Sequence, residues 1–196
     1  MDKETIFKSE RRAWIAVGLY TVLLYSTLTV AFDAYVSVYH QIGRASMSNW
    51  INFGFAMVGL ILLLWILLCI RPRMSGHIAL LLIILVFAFC LQNLTIPAKR
   101  FHFLQYAPLT LLVFDAINFR CKRPDKYIWS MAVVALIGLG DELIQLMLPD
   151  RHFGVLDLVI NSAAGLLTLV FIGFVWGDEN YPRLRRSNRQ SVTISR

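Results

Sequence analysis

The chemistry of this chain is marked by ionisable and amide side chains that stand inside long apolar runs. Asp141, Glu142 and Gln145 form a D-E-x-x-Q pattern near the end of one run, and Asp157 and Asn161 stand four apart in the next. Lys99, Arg100 and His102, followed one turn later by Tyr106, open a third run, while Arg151 and His152 lie between the first two. An ionised group in hydrocarbon costs roughly several kcal/mol unless it meets a partner or a polar cavity, so such residues point to a site by default. Glu142 is the candidate general acid or base, His102 its counterpart, and Asp157 the group that orients a cation. Lys99, Arg100 and Arg151 suit a phosphate or pyrophosphate, with Asp141, Gln145, Asn161 and Tyr106 completing a substrate-binding set. Ser162 has no paired base and Cys69, Cys90 and Cys121 stand elsewhere, which disfavours covalent catalysis. No H-E-x-x-H or similarly tight spacing occurs, and no metal or cofactor is assigned.

The elements that must position these groups follow from composition. Of 196 residues, 58% are hydrophobic and 16% charged, against about 45–50% and 25% in soluble domains. A water-soluble globule is excluded, and an all-α polytopic transmembrane bundle is expected. Runs long enough to cross roughly 30 Å of hydrocarbon occur at 13–32, 50–70, 77–94, 103–119, 128–148 and 155–176. The net charge of +7 would suggest nucleic acid in a soluble protein, but the basic residues fall between the runs and describe topology instead. Counted on alternate sides of six spans, 15 of the 19 lysines and arginines share the side of the two termini and 4 take the other. Both termini are therefore expected in the cytoplasm of a multi-pass cell-membrane protein, with no nucleic-acid partner.

All five tryptophans lie near run ends, where an indole suits the headgroup level. Residues 1–76 form an N-terminal two-helix segment, 77–176 a four-helix region, and 177–196 a basic tail read as disordered and held near anionic lipid. The outer segment 33–49 reads as a loop, with Tyr35, Tyr39 and His40 at a substrate entrance or simply covering the first hairpin. Asp115, one turn from Arg120, Lys122 and Arg123, is expected to form an ion pair with that basic loop and is given no function.

Asp141, Glu142 and Gln145 sit in the outer part of the fifth run, Glu142 about 9 Å below its end at 1.5 Å per residue. With the turn at Pro149 and Asp150, an antiparallel hairpin brings Glu142 level with Asn161 and Gln145 level with Asp157. Gly138, Gly140, Ala163, Ala164 and Gly165 allow close helix packing around them.

Three ordered motifs, Lys99-x-x-His102, Asp141-Glu142-x-x-Gln145-x-x-x-Pro149-x-Arg151 and Asp157-x-x-x-Asn161, resemble the VanZ-like family of bacterial membrane proteins, named for an association with teicoplanin resistance. The resemblance covers about 77–176. Ala98 and Asp150 stand where that family usually carries an acidic residue and a glycine. It implies a multi-helix protein acting at the cell envelope on a membrane lipid or lipid-linked precursor, with the cluster on the extracytoplasmic side. Two functions suit these residues: acid–base chemistry on a headgroup, and lipid or antibiotic binding without turnover. A transporter is disfavoured, because the fifth and sixth runs are almost wholly apolar below Glu142 and Asn161. A purely structural ion-pair network would need fewer polar groups than converge here.

Overall fold

The computed structural model describes residues 6–7, 9–94, 96–122, 124–148 and 153–177, without the side chains of 28, 29, 31 and 32. Every regular element among them is helical: α1 (Glu10–Trp65), α2 (Met74–Asn93), α3 (Phe101–Asn118), α4 (Asp125–Leu146) and α5 (Val155–Val170). Short π-helical segments, Ile66–Ile70 and Phe171–Gly177, extend α1 and α5, and a 3-10 turn, Pro97–Arg100, leads into α3.

The helix boundaries follow ordinary sequence signals. Ser9 caps α1 by accepting a hydrogen bond from the Arg12 amide, and Glu10 occupies the positive first turn. Arg71 adopts a left-handed conformation, φ 50°, which ends the first π segment before Pro72. Pro124 precedes α4, and Gly154 precedes α5 in extended conformation.

α1 departs from the expected helix–loop–helix. At 56 residues it would measure about 84 Å as one straight helix, far more than a bilayer. Gly43, at φ 76° and ψ 165°, breaks it into two arms, 10–42 and 44–65. The segment 33–49 is therefore helical on either side of a single glycine. It contains no proline and no other glycine, so hydrogen bonding simply continues beyond the apolar run.

The first arm runs antiparallel to α3. Glu10 pairs with Arg120 at one end, and the Tyr20 hydroxyl donates to the Gln105 carbonyl at 2.9 Å towards the other. Tyr25 continues the contact across to α4, donating to the Ile137 carbonyl at 2.7 Å. Gly140 makes this possible, because a Cβ there would lie 2.5 Å from the Tyr25 oxygen. The second arm returns the other way, carrying Phe55 against Phe87 and Phe101 and Trp65 against Trp176, edge to face at 6.2 Å. α2 begins where α5 finishes: a Cβ on Gly76 would meet the Phe174 carbonyl oxygen at 2.8 Å.

α3 is the buried centre, packed against α1, α4 and α5. Tyr106, Leu109, Thr110, Val113 and Phe114 are wholly enclosed. α2 is the opposite case, with Ile78, Leu81, Leu82, Leu85 and Phe89 all exposed. A helix apolar on every face and scarcely covered by protein belongs in lipid. The segments Asp33–Ile70, Met74–Asn93, Asp125–Leu146 and Val155–Gly177 are long and apolar enough to cross a membrane, and the chain is a membrane-associated, all-helical protein. The first arm and α3 fall outside that set. α3 carries His102, Gln105, Thr110 and Asp115, which a helix surrounded by protein tolerates and one surrounded by lipid does not.

The expected ion pair of Asp115 is not formed with Arg120, which turns instead to Glu10 of the first arm. Asp115 is buried, and its Oδ2 has no hydrogen-bond partner among the described residues.

The conformation of Gly43 makes the hairpin testable. A Cβ at position 43 meets nothing within 4 Å, so the penalty of Gly43→Ala is purely conformational, about 1–3 kcal/mol. Gly18, helical and equally uncrowded, gives the matched control: Gly18→Ala should be neutral or stabilising by roughly 0.5–1 kcal/mol. Thermal unfolding of the two variants in the same detergent compares them.

Candidate functional site

The last three helices meet at one end, and each delivers its polar residues from its terminal turns. The 3-10 turn before α3 brings Lys99, and the first turns of α3 bring His102 and Tyr106. The last two turns of α4 carry Asp141, Glu142 and Gln145, and the first turns of α5 carry Asp157 and Asn161. Asp141, Glu142, Gln145, Asp157, Asn161 and Tyr106 are all buried.

One strong ion pair ties the turn before α3 to α5. Lys99 Nζ lies 2.8 Å from Asp157 Oδ1 and 2.9 Å from Oδ2, with side-chain exposures of 20% and 13%. Glu142 is anchored by the backbone of the α4–α5 connection: its Oε2 accepts the Gly154 amide hydrogen at 2.8 Å. Its Oε1 receives a longer bond, 3.4 Å, from the Gln145 amide one turn on. Gly154 cannot be larger, since a Cβ there would stand 2.5 Å from Asp157 Oδ2 and 3.5 Å from Glu142 Oε2. Deeper in the bundle, the Tyr106 hydroxyl donates to Asp141 Oδ2 at 3.2 Å.

Not every buried atom here is satisfied: Asp157 Oδ1 meets Lys99 at ion-pair distance without hydrogen-bond geometry, and further atoms lack a well-formed hydrogen bond among the described residues. Neither amide atom of Asn161 has a hydrogen-bond partner of acceptable geometry, and neither does Nδ1 of His102. Asn161 packs over Gly138, where a Cβ would lie 3.3 Å from its own Cβ and 3.5 Å from the Tyr106 ring. The His102 ring lies 6.2 Å from that of Tyr106, has Asp157, Asp141 and Lys99 as charged neighbours, and has Asn161 as its side-chain hydrogen-bonding neighbour. A buried polar group left without a well-formed hydrogen bond costs about 1–3 kcal/mol, so Asn161 and His102 are the least satisfied pair of the cluster among the described residues.

Most of the residues expected from the sequence are thus brought together: Lys99, His102, Tyr106, Asp141, Glu142, Gln145, Asp157 and Asn161. Arg100 is not among them. Its guanidinium turns to the second arm of α1, donating from Nη1 to Ser48 Oγ at 2.8 Å and Asn52 Oδ1 at 2.7 Å, and from Nη2 to the Leu94 carbonyl at 2.9 Å. Successive residues of a 3-10 turn point in different directions, so Lys99 and Arg100 cannot serve one ligand. Burial lowers the Arg100 pKa, with Tyr35 acting in the other sense, but an arginine starts so high that it remains a cation. Arg151 and His152 lie outside the described residues.

The helical register also differs from the expected one. Asn161 stands opposite Gly138, Glu142 opposite Asp157 and Gly154, and Gly165 opposite Val134. These pairs are equally far from a centre between positions 149 and 150, and the expected pairing of Glu142 with Asn161 is one turn away from that centre. Glu142 therefore meets the α5 terminus itself, and Asn161 lies one turn deeper than the carboxylate pair. The residue that sequence reasoning missed is Gly154, whose amide fixes Glu142. A glycine one residue before a helix with an acidic first turn is its only trace in the sequence.

Among the described residues, no three histidine, cysteine, aspartate or glutamate side chains are grouped to hold a metal ion. Open surface depressions lie elsewhere among the described residues, one of about 490 Å3 beside Glu10, Arg11 and Arg120 and an apolar groove of about 730 Å3 between α4 and α5 near Pro124 and Phe174.

Lys99→Met strips the buried Asp157 of its cation and should destabilise the protein by roughly 3–5 kcal/mol, much of which Asp157→Asn in the same chain restores. Thermal unfolding of the four members of that cycle measures the coupling. Comparison with protein-family models, with curated proteins and with solved structures gives no match.

Proposed function

We propose that the chain crosses the membrane six times with both termini in the cytoplasm, and that its cluster binds and acts on the headgroup of an envelope lipid or lipid-linked precursor from the extracytoplasmic side. The excess of lysine and arginine on the side of the termini supports this orientation. So does the return of each helix against its neighbour, which leaves Glu10 and Gly177 at one end of the bundle and the cluster at the other. The resemblance to the VanZ-like family points to the same class of ligand, and a link to teicoplanin resistance is part of that reading.

The observation that carries the proposal is the buried pair of His102 and Asn161, without a well-formed hydrogen bond at the Asn161 amide among the described residues, one turn below the Glu142–Gly154 and Lys99–Asp157 contacts. In a low-dielectric site these groups act strongly on whatever enters. Glu142, held by one backbone donor and one long amide contact, is the group suited to exchange a proton, and His102 is the second titratable partner. Asp157 holds Lys99, and Tyr106 holds Asp141, so both carboxylates serve to position rather than to transfer. A second reading, binding without turnover, is favoured by one observation: no serine or cysteine nucleophile lies among the described residues of the cluster. Ser130, the buried serine of α4, donates to the Lys126 carbonyl at the opposite end.

Two measurements test the proposal. In a chain whose Cys69, Cys90 and Cys121 are replaced by serine, a cysteine at position 44 should react with an impermeant thiol reagent added outside cells, and one at position 123 should not. The reverse pattern would put the cluster in the cytoplasm. Glu142→Gln should reach the membrane in normal amount, and lipid mass spectrometry of cells expressing it should lack whatever species changes with the wild type. Identical profiles, with the purified wild type retaining a lipid that Glu142→Gln releases, would establish binding without turnover.

A further inference from the structure

Arg100 is buried, with 5% exposure, yet its partners are uncharged. Nη1 donates to Ser48 Oγ at 2.8 Å and Asn52 Oδ1 at 2.7 Å, and Nη2 to the Leu94 carbonyl at 2.9 Å. Its electrostatic neighbour Tyr35 is a phenol, neutral at physiological pH. Among the described residues no carboxylate pairs with it. A guanidinium has about five N–H bonds to give, and three are engaged here. Nε is buried without a hydrogen-bond partner, and one hydrogen of Nη2 is left over.

A buried ion costs several kcal/mol unless an opposite charge faces it. Leu94 is the C-cap of α2, and the dipole of a helix offers about half an elementary negative charge at that end. Roughly half a unit of positive charge is left unmatched. The hydroxyl of Ser48 and the amide of Asn52 solvate the guanidinium with their dipoles but do not neutralise it.

The position of the site says which anion is at hand. Ser48 and Asn52 stand one helical turn apart where the apolar run 50–70 begins, and the exposed Trp50 lies between them in sequence. That is the headgroup level of a membrane-spanning helix. Asn52 is exposed and Ser48 half-buried, so the Nη1 end of the guanidinium is the end within reach of the surface. Phosphates are the anions that lipids present at this level, and the planar fork of arginine suits their oxygens.

We infer that Arg100 receives the phosphate group of an anionic phospholipid, which replaces the Asn52 oxygen on Nη1 and neutralises the guanidinium. The site goes beyond the headgroup reading above and does not rest on it, because Lys99 and the cluster lie in a different direction from the same 3-10 turn. A zwitterionic headgroup brings its own cation and so gains less from the site.

The full-length protein, purified in detergent, is offered dioleoyl phosphatidylglycerol and dioleoyl phosphatidylcholine in turn, with retention read by native mass spectrometry and stability by thermal unfolding. Phosphatidylglycerol should be retained about tenfold over phosphatidylcholine, the scale of one charge-assisted hydrogen bond. Asn52→Asp is the decisive variant, since it sets a carboxylate of the same shape at the 2.7 Å contact. It should raise the melting temperature of the lipid-free protein and lower phosphatidylglycerol retention by about tenfold. Asn49→Asp makes the same change of charge at an exposed position that does not bond Arg100, and should do neither. Equal retention of the two lipids, a preference that survives Asn52→Asp, or an equal loss in Asn49→Asp overturns the assignment. So does an Asn52→Asp variant no more stable than the wild type, because the guanidinium then lacks nothing. If inorganic phosphate raises the melting temperature of the wild type as much as phosphatidylglycerol does, and leaves Asn52→Asp unmoved, the lipid is overturned as the source and the phosphate stands. None of these outcomes touches the cluster, whose own test is Glu142→Gln.

Discussion

A carboxylate below the membrane surface has no water to solvate it, and this one constraint organises the molecule. At an effective dielectric constant of about 20, two unit charges 4 Å apart interact by roughly 4 kcal/mol, against about 1 kcal/mol in water. Asp157 therefore needs Lys99, Glu142 needs the Gly154 amide, and Asp141 needs Tyr106. Because the partners sit on different helices, satisfying the charges fixes how α3, α4 and α5 meet. The polar contacts and the close packing are coupled through glycine: Gly138 admits Asn161 and Tyr106, Gly154 admits both carboxylates, and Gly165 admits Val134 and Thr110. Helices in lipid gain no hydrophobic free energy by associating, so such contacts and packing are what hold them together.

The same constraint separates centre from periphery. α3 is largely enclosed and can carry His102, Thr110 and Asp115, whereas α2 and residues 53–65 of the second arm expose mainly apolar side chains. The outer pair needs its own attachment, and Arg100 provides it. Its guanidinium joins Ser48 and Asn52 to the Leu94 carbonyl, tying the second arm of α1 to the chain between α2 and α3. Arginine suits this task better than lysine would, since a planar fork reaches three acceptors in fixed directions. At the other end, the contact of Trp65 with Trp176 and that of Gly76 with Phe174 close the same periphery against α5.

Much of this was legible in the sequence, for physical reasons that also mark where legibility ended. Hydropathy and bilayer thickness place α2, α4 and α5 within a few residues of the expected runs, because lipid imposes a length and an apolar composition. The convergence of Lys99, His102, Glu142, Asp157 and Asn161 could be read because polar residues inside apolar runs have few other uses. Continuation of α1 through 33–42 was not legible, since polar composition near a membrane surface looks alike in a loop and in a helix. The α4–α5 pairing is the one that a hairpin centred on 149–150 gives, with Glu142 opposite Asp157, so the expected level of Glu142 with Asn161 misplaced the residues by one turn although the turn itself was legible. The direction of Arg100 depends on Ser48 and Asn52, about fifty residues away, and no local pattern reports it.

Whether the cluster is a site or only a fastening turns on how completely it satisfies itself. A structural ion pair tends toward full pairing, because each unpaired buried group is a loss that a neighbouring apolar residue would avoid. Here the pairing is strong at the rim, where Lys99 meets Asp157, and weak one turn deeper, where among the described residues Asn161 has His102 as its neighbour and neither amide atom is bonded in good geometry. Selection for stability alone would place leucine at position 161, against Gly138 and the Tyr106 ring. An asparagine in that place costs stability, a cost that a ligand of the proposed kind would offset. The rim pair also holds the turn before α3 to α5, so a ligand that displaced either Lys99 or Asp157 would alter the packing of these two helices at the same time.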